Sequence, residues 1–206
     1  LLMDDDAIFD PDIFVRLYGF LSQLKDGYSD ITVGGALMRE DIPYYQYASG
    51  ERYKDHRAYN PYPMKDMREF ENCVSEYMCG IQEEADTYSG WWCCCYSMTA
   101  VTEDNLPMPM FIHCDDIEYG LRNEKQGIAF INGVCVWHKG TEFAFPGANR
   151  YYDIRNKLIT SVLHDAEPLS NLQALRICWR AMTATLMSYR YGETELAYRG
   201  LTDFCR

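Results

Sequence analysis

The 206-residue sequence is poor in basic residues: 19 Lys and Arg stand against 31 Asp and Glu, a formal charge of -12 at pH 7. A nucleic-acid binder would normally carry a basic face, so the balance argues against that class, and it suggests no attraction to anionic lipid. No C-x-x-C pair occurs among the nine cysteines, which leaves no zinc-site spacing. Their odd number and the consecutive Cys93, Cys94 and Cys95 also argue against a disulfide framework, because adjacent cysteines are badly placed to bridge each other. They read as reduced, small apolar side chains of a cytosolic protein. The sequence shows no apolar run long enough to span a bilayer, no signal-peptide pattern, no Gly-rich phosphate loop, no internal repeat and no low-complexity linker.

A hydrophobic content of 48% with 15% aromatics predicts a folded protein, and the length suits one good core or one domain with a small helical appendage. The chain is organised around Phe111 to Arg122, FIHCDDIEYGLR. Two adjacent carboxylates at a strand end or loop lead at once into a helix that Asp115 or Asp116 can cap. Glu118 and Arg122 stand one turn apart, and Gly127 is placed to end the helix. A carboxylate there feels the positive end of the helix dipole, which favours its ionised form and suits a general base or an anion held by a cation. Plain capping is the competing reading.

Upstream, Leu1 to Asp6 sets three acids directly after apolar residues, as at the carboxyl end of a buried parallel strand, where open α/β sheets place their ligands. The opening inside an apolar run is read as the C-terminal portion of a longer protein. Asp10-Pro11 predicts a helix start, with Ile13, Phe14, Leu17, Leu21 and Leu24 as its inward stripe. Ile31 to Met38 reads as a buried strand whose Gly34-Gly35 would let another backbone or a ligand approach. The Tyr-rich segment 39–63 predicts an ordered loop or short hairpin. Met67, Phe70, Val74 and Met78 have helical spacing and read as core. Tyr88 to Met98 predicts a strand placing Trp91 and Trp92 on opposite faces, one in the core and the other free to support a ligand ring. Ile128 to His138 predicts a buried strand. Tyr151 to His164 predicts a helix with Ile154, Leu158, Val162 and Leu163 inward. After a capping box at Ser170 to Gln173, a last amphipathic helix carries Leu175, Trp179, Met182 and Leu186.

Asp4 and Asp6 form an Asp-x-Asp at a strand end, a hard-oxygen pair suited to Mg²⁺ or Mn²⁺ bridging a diphosphate. His138, at another strand end, would add an imidazole and tilt the site toward Mn²⁺, the alternative being an ordinary surface or core histidine. Asp115 and Asp116 are then left for proton transfer. Taken in order, MDDD at 3–6, GGALMRED at 34–41, Trp91-Trp92, DDIEYGLR at 115–122, Gly133 through Val136-Trp137-His138, and Tyr151-Tyr152 with Arg155-Asn156 resemble family 2 glycosyltransferases of the GT-A fold. The likeness is greatest to bacterial galactofuranosyltransferases that use a UDP-linked sugar.

The resemblance implies an α/β GT-A fold: a mixed sheet flanked by helices, present only as its C-terminal half. Residues 1–150 would form the acceptor and metal half of the catalytic domain, and 151–206 a C-terminal helical segment. It also implies that Asp4, Asp6 and His138 hold Mn²⁺ or Mg²⁺, with Asp5 in the cofactor-binding set. Asp116 would be the base, with Asp115, Trp91 and Trp92 in the acceptor site. The partners would be a UDP-sugar and a cell-surface glycan, in the cytoplasm or peripherally at the inner face of the cell membrane. The chain alone is expected to be inactive. Rival readings are a rhamnosyl or other hexosyl transferase, a non-catalytic carbohydrate-binding fragment, and metal-dependent phosphoryl transfer.

Overall fold

The computed structural model describes residues 1–75, 80–123, 126–140 and 147–206. Its strands are β1 (Leu2–Met3), β2 (Ile8–Phe9), β3 (Thr32–Arg39), β4 (Tyr45–Ala48), β5 (Glu51–Lys54), β6 (Arg57–Tyr59), β7 (Lys65–Asp66), β8 (Gly80–Gln82), β9 (Thr87–Tyr88), β10 (Cys93–Cys95) and β11 (Ile128–His138). The helices are α1 (Asp12–Leu21), α2 (Phe70–Val74), α3 (Asp115–Asn123), α4 (Arg150–His164), α5 (Asn171–Met187) and α6 (Tyr191–Phe204). The protein is thus mixed α/β with a helical C-terminal region. Two compact units are present: residues 1–53, 58–106 and 119–142 form the first, and residues 54–57, 107–118 and 143–206 the second. Among the described residues no helix is long and apolar enough to cross a membrane.

The first unit is built on a mixed sheet of order β1-β10-β3-β11-β2, with β4 on β3, β7 on β4 and β8 on β11. A smaller sheet runs β6-β5-β9. Strand β11 spans Ile128 to His138, the range its apolar run predicts, and lies parallel to β3. Gly133 (φ +83°) interrupts it where the register against β3 shifts. The core joins Ile13 and Leu17 of α1 to Val33, Leu37, Val134 and Val136 of the two central strands. Gly34 and Gly35 are required by close approach: a Cβ at Gly34 would collide with the Phe130 ring, and one at Gly35 would lie 2.6 Å from Cys93 Sγ. Neighbouring side chains of the same unit fill the gap that the glycines open.

Four expectations need correction. Strand β1 is not a buried parallel strand; it pairs antiparallel with β10, and Leu2 is exposed. Helix α1 begins where Asp10 predicts, the Asp10 carboxylate accepting from Asp12 N at 3.1 Å, but it stops at Leu21 and leaves Phe14 outside, edge-on to Phe9. Helix α2 buries nothing: Phe70 and Val74 are exposed, and Met78 lies outside the described residues. The segment 39–63 is ordered as β4, β5 and β6 rather than as a loop with one hairpin.

The second unit has its own core, Ile154 and Leu158 of α4, Ala174 and Cys178 of α5, and Ala197 of α6. Helix α4 buries Asn156, Thr160 and Ser161, while Val162 and Leu163 face solvent. Helix α5 starts at the capping box that Ser170 and Gln173 predict, yet Leu175, Trp179 and Leu186 are exposed and only Met182 of that stripe packs on the core. The inward faces are made of small residues because α6 comes very near: a Cβ at Gly200 would lie 2.7 Å from the Tyr151 carbonyl oxygen of α4. Bulky side chains would hold such helices apart.

Candidate functional site

The first cluster lies where three strand ends of the first unit meet. Between β1 and β2 the chain turns through Asp4 to Ala7, closed by Ala7 N donating to Asp4 O at 3.4 Å. Strand β2 pairs with β11 through Phe9↔Val136 and Ile8↔Trp137, which brings Asp6 beside His138, 132 positions away in sequence. Candidate ligand atoms of Asp4, Asp6 and His138 all lie within 4.8 Å of one another. Trp137 Nε1 donates to Pro43 O at 2.8 Å, which fixes the end of β11.

The hydrogen bonds of His138 define what can sit there. Nδ1 faces the Lys139 carbonyl at 2.8 Å, and a carbonyl can only accept, so Nδ1 carries a proton. Nε2 lies 3.1 Å from Asp6 Oδ1. In a neutral imidazole with Nδ1–H, Nε2 is a lone pair aimed at a carboxylate, and two acceptors at that distance require a cation. The Lys139 carbonyl, then the Asp6 and Asp4 charges, raise the His138 pKa against the opposing effect of burial. A divalent ion would satisfy the same three donors. Two carboxylates plus an imidazole suit Mn²⁺ or Mg²⁺, and the Lys139 carbonyl holds Nδ1–H so that the ring would be oriented with Nε2 toward an ion. The donor set therefore fits the ion. Beside it lies a shallow open depression lined by Arg39, Tyr47, His138 and Lys139. Its edge carries two cationic side chains in a chain that has few, although Arg39 also holds Asp41 at 2.7 and 2.8 Å.

Trp91 and Trp92 occupy a turn between β9 and β10, not a strand. Trp92 donates from Nε1 to Gly35 O at 2.8 Å and packs on the first core. Trp91 donates to Tyr96 Oη at 3.1 Å and stands edge-on to Tyr119, with 5.9 Å between ring centroids. The two rings thus differ in role: Trp92 is structural, and Trp91 is a partly exposed aromatic face.

Asp115 and Asp116 open α3 and belong to the second unit, whereas Asp4, Asp5, Asp6, Trp91, Trp92 and His138 belong to the first. Both carboxylates are half-buried, and Asp116 Oδ1 accepts from Ile117 N at 2.8 Å. The preceding Cys114 thiol is pushed up to about 12, chiefly by burial and then by the Asp116 charge. Glu118, one turn on, is buried with His164 Nε2 3.7 Å from its carboxylate. Arg122 donates to Asn105 Oδ1 and, at 3.1 Å, to Leu106 O. The His164 contact had no signal in the sequence, since no helical or strand spacing links residues 46 apart. Asn156, described below, was visible only as half of the Arg155-Asn156 pair.

No protein-family model matches the chain. Among curated proteins it is similar to the galactofuranosyltransferase GlfT2 of Mycolicibacterium smegmatis, 27% identical over 218 residues, and to that of Mycobacterium tuberculosis, 24% identical. Each alignment covers 99% of this chain but 33% of the relative. The chain spans about a third of the length of the curated relatives it matches, and throughout its own length it is galactofuranosyltransferase-like in sequence.

Proposed function

We propose that this chain is the metal- and acceptor-binding portion of an inverting glycosyltransferase that moves a sugar, galactofuranose by its relatives' name, from a UDP-linked donor to a glycan acceptor. The observation that carries the reading is the convergence of Asp4, Asp6 and His138 in a chain of this similarity. An acidic protein that must bind a diphosphate needs local positive charge, and this donor set suits Mn²⁺ or Mg²⁺. When bound, the ion would neutralise charge developing on the departing diphosphate.

The chain's own residues account for the remaining roles. In a single displacement the acceptor hydroxyl oxygen bonds to the anomeric carbon, the carbon–oxygen bond to UDP breaks, and the hydroxyl proton must leave. Asp116 takes that proton, Asp115 orients the acceptor, and Trp91, with Trp92 next to it in sequence, offers an aromatic face to a sugar ring. Asp5, between these two acids in sequence, would belong to the cofactor-binding set. Arg39 and Lys139 add fixed positive charge beside the ligating side chains. The working place of such an enzyme would be the cytoplasm, at the inner face of the cell membrane where glycan precursors are assembled.

The test is product analysis of the full-length protein with Mn²⁺, a UDP-linked galactofuranose and an oligosaccharide acceptor. Transfer with inversion at the anomeric carbon, read by NMR, is expected. Binding without turnover would refute the transferase reading in favour of a carbohydrate-binding module, and inorganic phosphate release would refute it in favour of phosphoryl transfer. Turnover only with another hexosyl donor would overturn the sugar assignment alone.

A further inference from the structure

The segment leading into the acidic pair has a backbone that ordinary residues rarely adopt. Phe111, His113 and Cys114 all have positive φ, +72°, +64° and +65°, and none is glycine. Backbone of this kind fits neither a strand nor a helix, so no regular ladder satisfies its carbonyls. One side chain does so instead. Asn156, fully buried in the second turn of α4, sets the two N–H bonds of Nδ2 among the carbonyl oxygens of Met110, Ile112 and His113 at 2.9, 2.8 and 3.1 Å, one hydrogen being shared between two of them. Its Oδ1 accepts from Arg155 Nη1 at 2.9 Å. That last bond sets which end of the amide faces the loop: the guanidinium can only donate, so it holds the oxygen and the NH₂ group is left for the three carbonyls.

The consequence reaches Asp115 and Asp116. The held carbonyl of His113 is followed by Cys114, whose own carbonyl accepts from Glu118 N at 2.9 Å and begins α3. The entry direction of the helix, and with it the aim of its first two side chains, is fixed by the atoms that Asn156 grips. We infer that Asn156, oriented by Arg155, is the positioning residue of the Asp115–Asp116 pair. The inference rests on the reading of Asp116 as the base. The amide's chemistry is specific to the task. Aspartate has the same shape but no N–H, and would aim a carboxylate at three carbonyls. Leucine would leave those carbonyls buried without a donor. Glutamine adds a methylene to a site with no room for it.

The experiment uses the full-length protein with Mn²⁺, UDP-sugar and acceptor, and compares Asn156→Asp, Arg155→Met and Asp116→Asn with the parent. Misplacing a reacting group by about 1 Å costs roughly 10²-fold in rate. Asn156→Asp is therefore expected to lower kcat per folded molecule about 10²-fold, with donor KM and Mn²⁺ affinity unchanged. Arg155→Met leaves the amide in place but free to turn over, so a smaller fall of about tenfold is expected, less than the 10²-fold misplacement limit. A purely structural role would lower the melting temperature and the folded fraction without touching kcat per folded molecule. If Asn156→Asp does not fold, Arg155→Met still decides: parental kcat and KM in that variant overturn the proposal. Activity in Asp116→Asn would overturn the base assignment itself, whereas a dead Asp116→Asn with parental kcat in both other variants would overturn the positioning role alone.

Discussion

Replacing Asp6 by Asn tests the cation site with little risk to the fold. The side chain is 70% exposed and sits in the turn before β2, so its substitution should cost stability no more than about 0.5 kcal/mol. The amide can also donate to His138 Nε2 across the same 3.1 Å, which removes the need for a cation there. The cost to metal binding is larger. A unit charge pair at 4 Å is worth about 1 kcal/mol in bulk water and about 4 kcal/mol at an effective dielectric constant of 20. Candidate ligand atoms within 4.8 Å of each other set that scale, and the exposure of Asp6 moves the value toward the lower half. A loss of about 2 kcal/mol corresponds to roughly 30-fold weaker binding. Isothermal titration with MnCl₂, alongside a thermal melt, measures both. Asp5→Asn serves as the control, because its carboxylate is not one of the three that converge. Equal Mn²⁺ affinity in the parent and Asp6→Asn, or an equal loss in Asp5→Asn, would refute the reasoning.

In the full-length protein, Asp116→Asn should lower kcat by about 10²–10⁴ with donor binding retained, and steady-state kinetics against donor and acceptor separate the two. Leu158→Ala, at a fully buried position, should destabilise the second unit by about 2–5 kcal/mol in a urea titration. Gly200→Val should be at least as damaging, because its first added carbon already meets the Tyr151 carbonyl at 2.7 Å, and circular dichroism melts check it. Burial pushes the thiols of Cys93, Cys94 and Cys114 from 9.0 up to about 12, so the unfolded chain loses those protons first as pH rises. Native stability should be intact below pH 9.0 and fall progressively toward pH 12, and denaturant midpoints across that window should show it.

How much of this was legible depends on where each signal lies along the chain. Strand β11 could be read end to end because a continuous apolar run with one glycine has few other uses. The capping box at Ser170 could be read because both partners lie within four residues. The approach of His138 to Asp4 and Asp6 was reachable from β11 ending in His138 and from the Asp-x-Asp following an apolar pair, although the antiparallel pairing of β1 was not. The stripe of α5, and Val162 and Leu163 at the end of that of α4, misled because periodicity marks a face without saying which neighbour it meets, whereas Ile154 and Leu158 lie in the core as expected. In α5 the small face of Ala174 and Cys178 goes inward, against a helix that carries Ala197 and Gly200. The larger residues are then left outside. Asn156 was illegible as a gripping residue because its partners are main-chain carbonyls, which any residue supplies, 43 to 46 positions away.

The four tryptophans are divided between the two cores in a way that makes their light emission selective. Trp91, Trp92 and Trp137 lie in the sheet-bearing unit, and Trp179 is the sole tryptophan of the helical one. Trp179 is 70% exposed, so its fluorescence should be red-shifted and open to aqueous quenchers, while the indole N–H groups of the other three are bonded to protein oxygens. Acrylamide would therefore darken the helical unit's signal first and leave a blue-shifted remainder belonging to the sheet. A Trp179→Phe protein confines all emission to the sheet, and its difference from the parent isolates the helices. Two cores that share one chain can in this way be watched separately as denaturant rises, and coincident or separated transitions would tell whether they melt as one cooperative body.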